Sequence, residues 1–114
     1  MTSSSKTRLE NLKKYLLDDP KDSFLRYALA IELINANESP QALEIFKELI
    51  SEDPDYLATY YQYGKSMEES GAVDESIEIY KLGLIIAEKQ NNARTVKELR
   101  QAILSLTDNE DEME

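Results

Sequence analysis

The chain contains no cysteine and no histidine. Without cysteine there is no disulfide framework and no thiol chemistry. Without histidine the commonest general base and the commonest metal ligand are both missing. Glycine and proline are scarce, at three each in 114 residues, fewer than a turn-rich all-β protein needs. Cations are also in short supply: 13 Lys and Arg face 23 Asp and Glu, for a formal charge of −10. That balance argues against affinity for phosphate backbones and for anionic bilayers, so neither nucleic acid nor membrane is expected as a partner. No stretch approaches the roughly 20 apolar residues that span a bilayer, and the opening MTSSSKTR is not followed by the apolar run of a signal peptide. A soluble, cytoplasmic protein is the expectation.

What is present favours helix. Leu, Ile, Ala, Glu and Lys dominate long segments, and 41% of residues are apolar, enough for one domain's core. The charge is uneven. The tail 108–114, DNEDEME, holds Asp108, Glu110, Asp111, Glu112 and Glu114.

The sequence repeats with a period of 34. Asp19-Pro20 and Asp53-Pro54 are that far apart, and at the same offset Tyr27 matches Tyr61, Glu44 matches Glu78, Ile45 matches Ile79 and Lys47 matches Lys81. One further step back, Leu9, Glu10, Leu12, Lys13 and Leu16 align with Leu43, Glu44, Phe46, Lys47 and Ile50. The Glu–Lys pairs recur three residues apart, neighbours on a solvated helix face.

Each unit reads as two helices. Ser23–Ala36 is apolar on more than one side. Asn37–Pro40 breaks it, with Ser39 as a cap and Pro40 in the next first turn. Gln41–Ser51 then shows apolar residues at i, i+3, i+4 and i+7. The second unit follows as Tyr56–Ser70, a turn at Gly71 suited to positive φ, and Asp74–Glu88. Asn91-Asn92 breaks the chain again. Ala93–Leu106 carries Val96, Leu99, Ile103 and Leu106 on one stripe and a polar back.

A 34-residue helix–turn–helix repeat resembles the tetratricopeptide repeat (TPR), in the form of a small bacterial-type member of that family, whose pattern is W-x₂-L-G-x₂-Y, A-x₃-F and P. Here the first unit gives Arg26-x₂-Leu29-Ala30-x₂-Leu33, Ala42-x₃-Phe46 and Pro54. The second gives Tyr60-x₂-Tyr63-Gly64-x₂-Met67 and Ser76-x₃-Tyr80, with Glu88 in place of the closing proline. Arg26 replaces the large aromatic, which suggests a buried stem with its head in water.

The resemblance implies an all-α fold: about six helices in a right-handed superhelical stack of antiparallel pairs, a TPR-like α-solenoid. The expected layout is a disordered N-terminus (1–8) and a single domain (9–106), followed by a disordered acidic tail (107–114). Within the domain stand a half repeat (9–20), repeat 1 (21–54), repeat 2 (55–88) and a capping helix (92–106) that closes the array with a polar face.

The same resemblance implies a concave groove lined by the first helix of each repeat, which holds a peptide or a helix of a partner. On this chain the groove residues are Phe24, Tyr27, Ile31, Ile34 and Asn35, then Tyr61, Gln62, Lys65 and Glu68, flanked by Ala58 and Glu69. One subclass of the family grips the C-terminal carboxylates of chaperone tails with Lys, Asn and Arg. Tyr27, Ile31 and Gln62 occupy those places here, so that clamp is missing and such tails are not the expected ligand.

No catalytic residue, cofactor or metal site is expected. Asp18-Asp19 and Glu68-Glu69 are adjacent, so on a helix they diverge by about 100°, and DNEDEME lacks the rigid turn of a calcium loop. The function read from the sequence is a non-enzymatic interaction module or scaffold. The alternative is a homo-oligomerisation module that pairs through the groove or through the open end at Leu9, Leu12, Leu16 and Leu17.

Overall fold

The computed structural model describes the backbone of residues 2–112 and the side chains of 6–107. It contains six helices: α1 (Thr2–Asp18), α2 (Ser23–Asn35), α3 (Ser39–Glu52), α4 (Ala58–Glu69), α5 (Val73–Lys89) and α6 (Ala93–Glu112). No described residue lies in a strand. The backbone is helical across 2–8 and 107–112, where the sequence reading expects disorder. Neither α1 nor α6 contains a Gly or Pro, so nothing local interrupts them. Met1, Met113 and Glu114, the remainder of the expected disordered ends, lie outside the described residues.

Three helix ends close in the same way. Asn37 (φ 62°), Gly71 (φ 91°) and Asn91 (φ 56°) take the left-handed conformation just after α2, α4 and α5. At each, the following amide reaches back to close the last turn: Glu38 N to Leu33 O at 2.8 Å, Ala72 N to Met67 O at 2.9 Å, and Asn92 N to Ala87 O at 3.0 Å. These are Schellman closures, which favour Gly or Asn because L side chains otherwise strain there. Asn37 and Gly71 are 34 residues apart, the period of the repeat. Helix starts vary more. Asp22 caps α2 by accepting from Leu25 N at 2.8 Å, and Asn92 caps α6 by accepting from Thr95 N at 3.0 Å. Ser39, expected to cap α3, is instead its first helical residue, ahead of Pro40.

The chain divides into two compact units, 1–59 and 60–114. In the first, α2 packs against α1 and α3. Its core is Ala30, Leu33, Ala42, Phe46 and Leu49, all nearly inaccessible. Arg26 is buried among them and its Nη1 pairs with Glu52 at 3.3 Å. The expected guanidinium in water is therefore corrected: α3 supplies a carboxylate within reach, and Glu52 also bonds Lys21 Nζ at 2.8 Å. The lysine hydrogen bond, followed by the charges of Lys21 and Arg26, holds the Glu52 carboxyl below its ordinary range against a partial desolvation.

In the second unit α5 packs between α4 and α6. Tyr60, Tyr63, Ile77, Ile79, Tyr80, Ala87 and Leu99 form the core. Gly64 is required by the packing. A Cβ built there would lie 2.3 Å from Cε1 of the Tyr80 ring. Ser76, where the TPR pattern has alanine, donates its hydroxyl to the Gly64 carbonyl at 2.7 Å, so this buried polar group is satisfied.

Candidate binding surfaces

The first unit holds a cleft of about 440 Å³ between α1 and α2. Its α2 wall is Phe24, Tyr27, Ala28, Ile31 and Glu32; its α1 wall is Arg8, Asn11, Leu12 and Tyr15. The size falls within the range of about 300–1,000 Å³ common for ligand-holding clefts. Three groove residues named from the sequence, Phe24, Tyr27 and Ile31, thus line one cleft. Ile34 and Asn35, further along α2, are not among its lining residues.

These side chains are held to different degrees. Tyr27 is half-buried and tilts against two rings, Phe46 at 6.5 Å and Tyr56 at 5.8 Å between centroids. Tyr56 lies in the loop before α4, and burial, then the charges of Asp22 and Asp53, push its hydroxyl pKa up. Tyr27 therefore has a packing role as well as a surface. Phe24, 63% exposed, has none of comparable extent. An Arg8–Glu32 ion pair at 2.8 Å ties the two walls together. Arg8, Asn11 and Tyr15 escaped the sequence reading, which followed the leucines of this helix. Their spacing of i, i+3 and i+7 with Leu12 at i+4 is the signal for a shared face. Of the leucines proposed as an open end, Leu9, Leu12 and Leu16 are half-buried, whereas Leu17 is 82% exposed.

The α4 residues Tyr61, Gln62, Lys65 and Glu68 belong to the second unit. Lys65 is exposed, and Gln62 and Glu68 are half-buried. Tyr61 is 36% exposed, but its ring lies 6.0 Å from that of Tyr80, so it too is partly a packing residue. Tyr80 is buried, and its pKa is pushed up to about 12 by desolvation first and by the charge of Glu68 second. A second cleft, of about 530 Å³, lies between α5 and α6 and is lined by Glu88, Asn91, Ala93, Val96, Lys97, Arg100 and Gln101. Sequence reasoning had not singled it out. Among the described residues, no cluster of three or more Asp or Glu is placed to hold a metal, and no helix is long and apolar enough to cross a membrane.

The helix pairs, the 34-residue period and the closely approached glycine define a TPR-type helical repeat protein. No family model matches the chain. Its likeness to solved structures is extensive. A tetratricopeptide repeat domain protein from Salinibacter ruber is 39% identical over 77% of this chain and 89% of its own, with a TM-score of 0.75. This chain belongs to the tetratricopeptide repeat family. A TPR repeat-containing protein of Pseudomonas aeruginosa is 24% identical over 91 residues, 80% of this chain and 87% of its own. A solved protein from Bordetella parapertussis shares the fold at a TM-score of 0.77, with 24% identity over 93% of this chain and 91% of its own. Proteins of this family are generally interaction modules rather than enzymes.

Proposed function

We propose that this protein is a non-enzymatic interaction module whose first unit receives a peptide or helix of a protein partner between α1 and α2. The observation that carries this reading is the cleft in which Phe24, Tyr27 and Ile31 meet Arg8, Leu12 and Tyr15. Phe24 is mostly exposed there and offers a large apolar surface with little rotamer entropy to lose. The ligand would place a large apolar side chain against Phe24 and Ile31. The Tyr61, Gln62, Lys65 and Glu68 set on α4 is a second proposed contact surface, in which Lys65 and Glu68 tune charge.

The test is a selection of random displayed peptides on the full chain, repeated with Phe24→Asp and with Leu82→Asp, an exposed control on α5. Enriched peptides should share a large apolar residue, bind the Leu82 variant normally and lose at least about tenfold in affinity for the Phe24 variant. Failure to enrich any peptide, or equal binding to both variants, would sink the reading. If the same cleft is covered in a dimer that Phe24→Asp dissociates, the homo-oligomerisation alternative replaces it.

A further inference from the structure

The outer face of α5 carries apolar side chains that the repeat does not require. Ser76, Ile79, Tyr80, Gly83 and Ala87 are buried and fix the core side of this helix. On the opposite side Glu78 and Lys89 are exposed, and between them Leu82 and Ile85 are 48% and 51% exposed. At about 100° per residue these four fall within roughly 60° of one line. One period earlier, on α3, the positions of Glu78, Leu82 and Ile85 are held by Glu44, Glu48 and Ser51, all exposed. Packing of a helix pair therefore leaves this face to solvent, and Leu82 and Ile85 are an addition of the second unit. A single exposed leucine is ordinary. Two apolar residues in register, flanked by charges of opposite sign, form a patterned surface.

The stripe is symmetric about its midpoint. Glu78 precedes Leu82 by four residues, and Lys89 follows Ile85 by four. Turned end over end and laid on itself, it sets Glu78 opposite Lys89 and Leu82 opposite Ile85. We propose that this face is a self-interface: two copies pair antiparallel along α5 about a two-fold axis between Leu82 and Ile85. Leu82 and Ile85 of both copies form the apolar centre. Glu78 of each copy meets Lys89 of the other at the two ends, and the contact is isologous.

A second copy fits this face better than other occupants. An acidic partner would engage Lys89 and leave Glu78 opposed, and a basic partner would do the reverse. Parallel pairing would set Glu78 against Glu78. Along one helix the two charges stand about 16 Å apart, too far to meet each other. Glu88, beside the stripe, is already paired with Arg100 at 3.1 Å, which limits its repulsion of Glu78 on the other copy. The net charge of −10 per copy opposes association, but at about 0.15 M salt charges more than about 8 Å apart are largely screened. Close pairs across the axis are screened less. One helix face is smaller than the roughly 800 Å² per partner of stable complexes, and water-exposed pairs are individually weak. The dimer is therefore weak and reversible. It uses the second unit, whereas the α1–α2 cleft and the leucines of α1 belong to the first, so pairing here and peptide binding there stand or fall separately.

Sedimentation of the full chain at hundreds of micromolar tests it, using three variants. Lys89→Glu makes both ends of the stripe acidic, Glu78→Lys makes both basic, and Leu82→Asp breaks its apolar centre. Wild type should show a concentration-dependent monomer–dimer equilibrium. Each variant alone should associate at least about tenfold more weakly. An equimolar mixture of Lys89→Glu and Glu78→Lys should recover wild-type association, as should one chain carrying both charge changes. General charge repulsion predicts another order, because the Glu78→Lys variant is the least acidic and would associate best. A monomeric wild type, a charge variant that dimerises as well as wild type, or a mixture that fails to associate would each overturn the proposal. So would a dimer that survives Leu82→Asp, since it would use another surface. Melting curves check that the variants are folded, as expected for changes on the solvent side of α5.

Discussion

The helix pairs α2–α3 and α4–α5 occupy matching positions of the 34-residue repeat and solve the same packing problem with different residues. Ala30 and Phe46 of the first correspond to Gly64 and Tyr80 of the second. Where the ring is tyrosine, the residue facing it has lost its Cβ, and the geometry leaves no room to restore it. Ala42 corresponds to Ser76, whose hydroxyl bonds the Gly64 carbonyl. Arg26 and Glu52, an ion pair, correspond to Tyr60 and Ile86, which carry no charge. The repeat thus conserves volume and closeness of approach rather than chemistry, and a polar solution is tolerated in one unit because both of its members are present.

The largest expected effect breaks the small-against-large exchange. Gly64→Leu should abolish cooperative folding. Gly64→Ala should destabilise by about 1–3 kcal/mol through overpacking against Tyr80, even though alanine gains about 1 kcal/mol in helix propensity. Tyr80→Leu added to Gly64→Ala should recover part of the loss. Urea unfolding of the three variants checks this; a Gly64→Ala protein as stable as wild type would refute the close approach.

The next effect concerns the charged pair. Arg26→Ala should cost about 1–3 kcal/mol, because it removes a buried side chain and opens space beside the core. Arg26→Tyr with Glu52→Ile, which writes the second unit's residues into the first, should unfold at close to the wild-type urea midpoint, because the Glu52 side chain is 37% exposed and a pair with one solvated member contributes little. Arg26 Nε has no hydrogen-bond partner, which favours that outcome. The lowered Glu52 value also fixes a sign: its contribution is present above the ordinary carboxylate pKa and is lost as pH falls through the depressed folded value. Acid titration of stability should be shallower in the double variant.

Alkaline pH separates the two rings that correspond across the repeat. Phe46 cannot ionise. The Tyr80 phenol, pushed up to about 12, is held neutral in the folded chain after its unfolded counterpart begins to lose its proton near 10. Stability from this group is full below about pH 10 and is lost as pH rises through about 12. Tyr80→Phe should flatten the fall in urea midpoint between those values. An unchanged slope would assign the fall to other groups.

The smallest effects fall on the surface residues. Phe24→Ala should change stability by no more than about 0.5 kcal/mol. Tyr61→Ala should cost more, on the order of 1 kcal/mol, because it removes a ring contact with Tyr80. Equal melting temperatures for the two would show that the Tyr61–Tyr80 contact contributes nothing.

Much of the helical layout was legible in advance. The apolar period places α2 to α5 within a few residues of their observed ends, and Gly71 and Asn91-Asn92 mark turns that the backbone closes with left-handed residues. These signals are local, carried by side-chain spacing and by the φ that a turn demands. Arg26 was misread because its partner Glu52 is 26 residues away on another helix, and nothing near Arg26 in the sequence announces it. The cleft was half legible: α2 showed its aromatic residues, while the facing wall of α1 was obscured by leucines that drew attention to the core side.

By itself, then, the sequence determined the helices, their turns, the 34-residue period and the need for a small residue at position 64, because periodicity and backbone sterics act over a few residues. Tertiary structure alone decided that Arg26 is buried against Glu52, that Tyr61 leans on Tyr80 and that α1 completes a cleft with α2. Those outcomes depend on how helices cross and which side chains then come within a few ångströms, and no spacing along the chain encodes that directly.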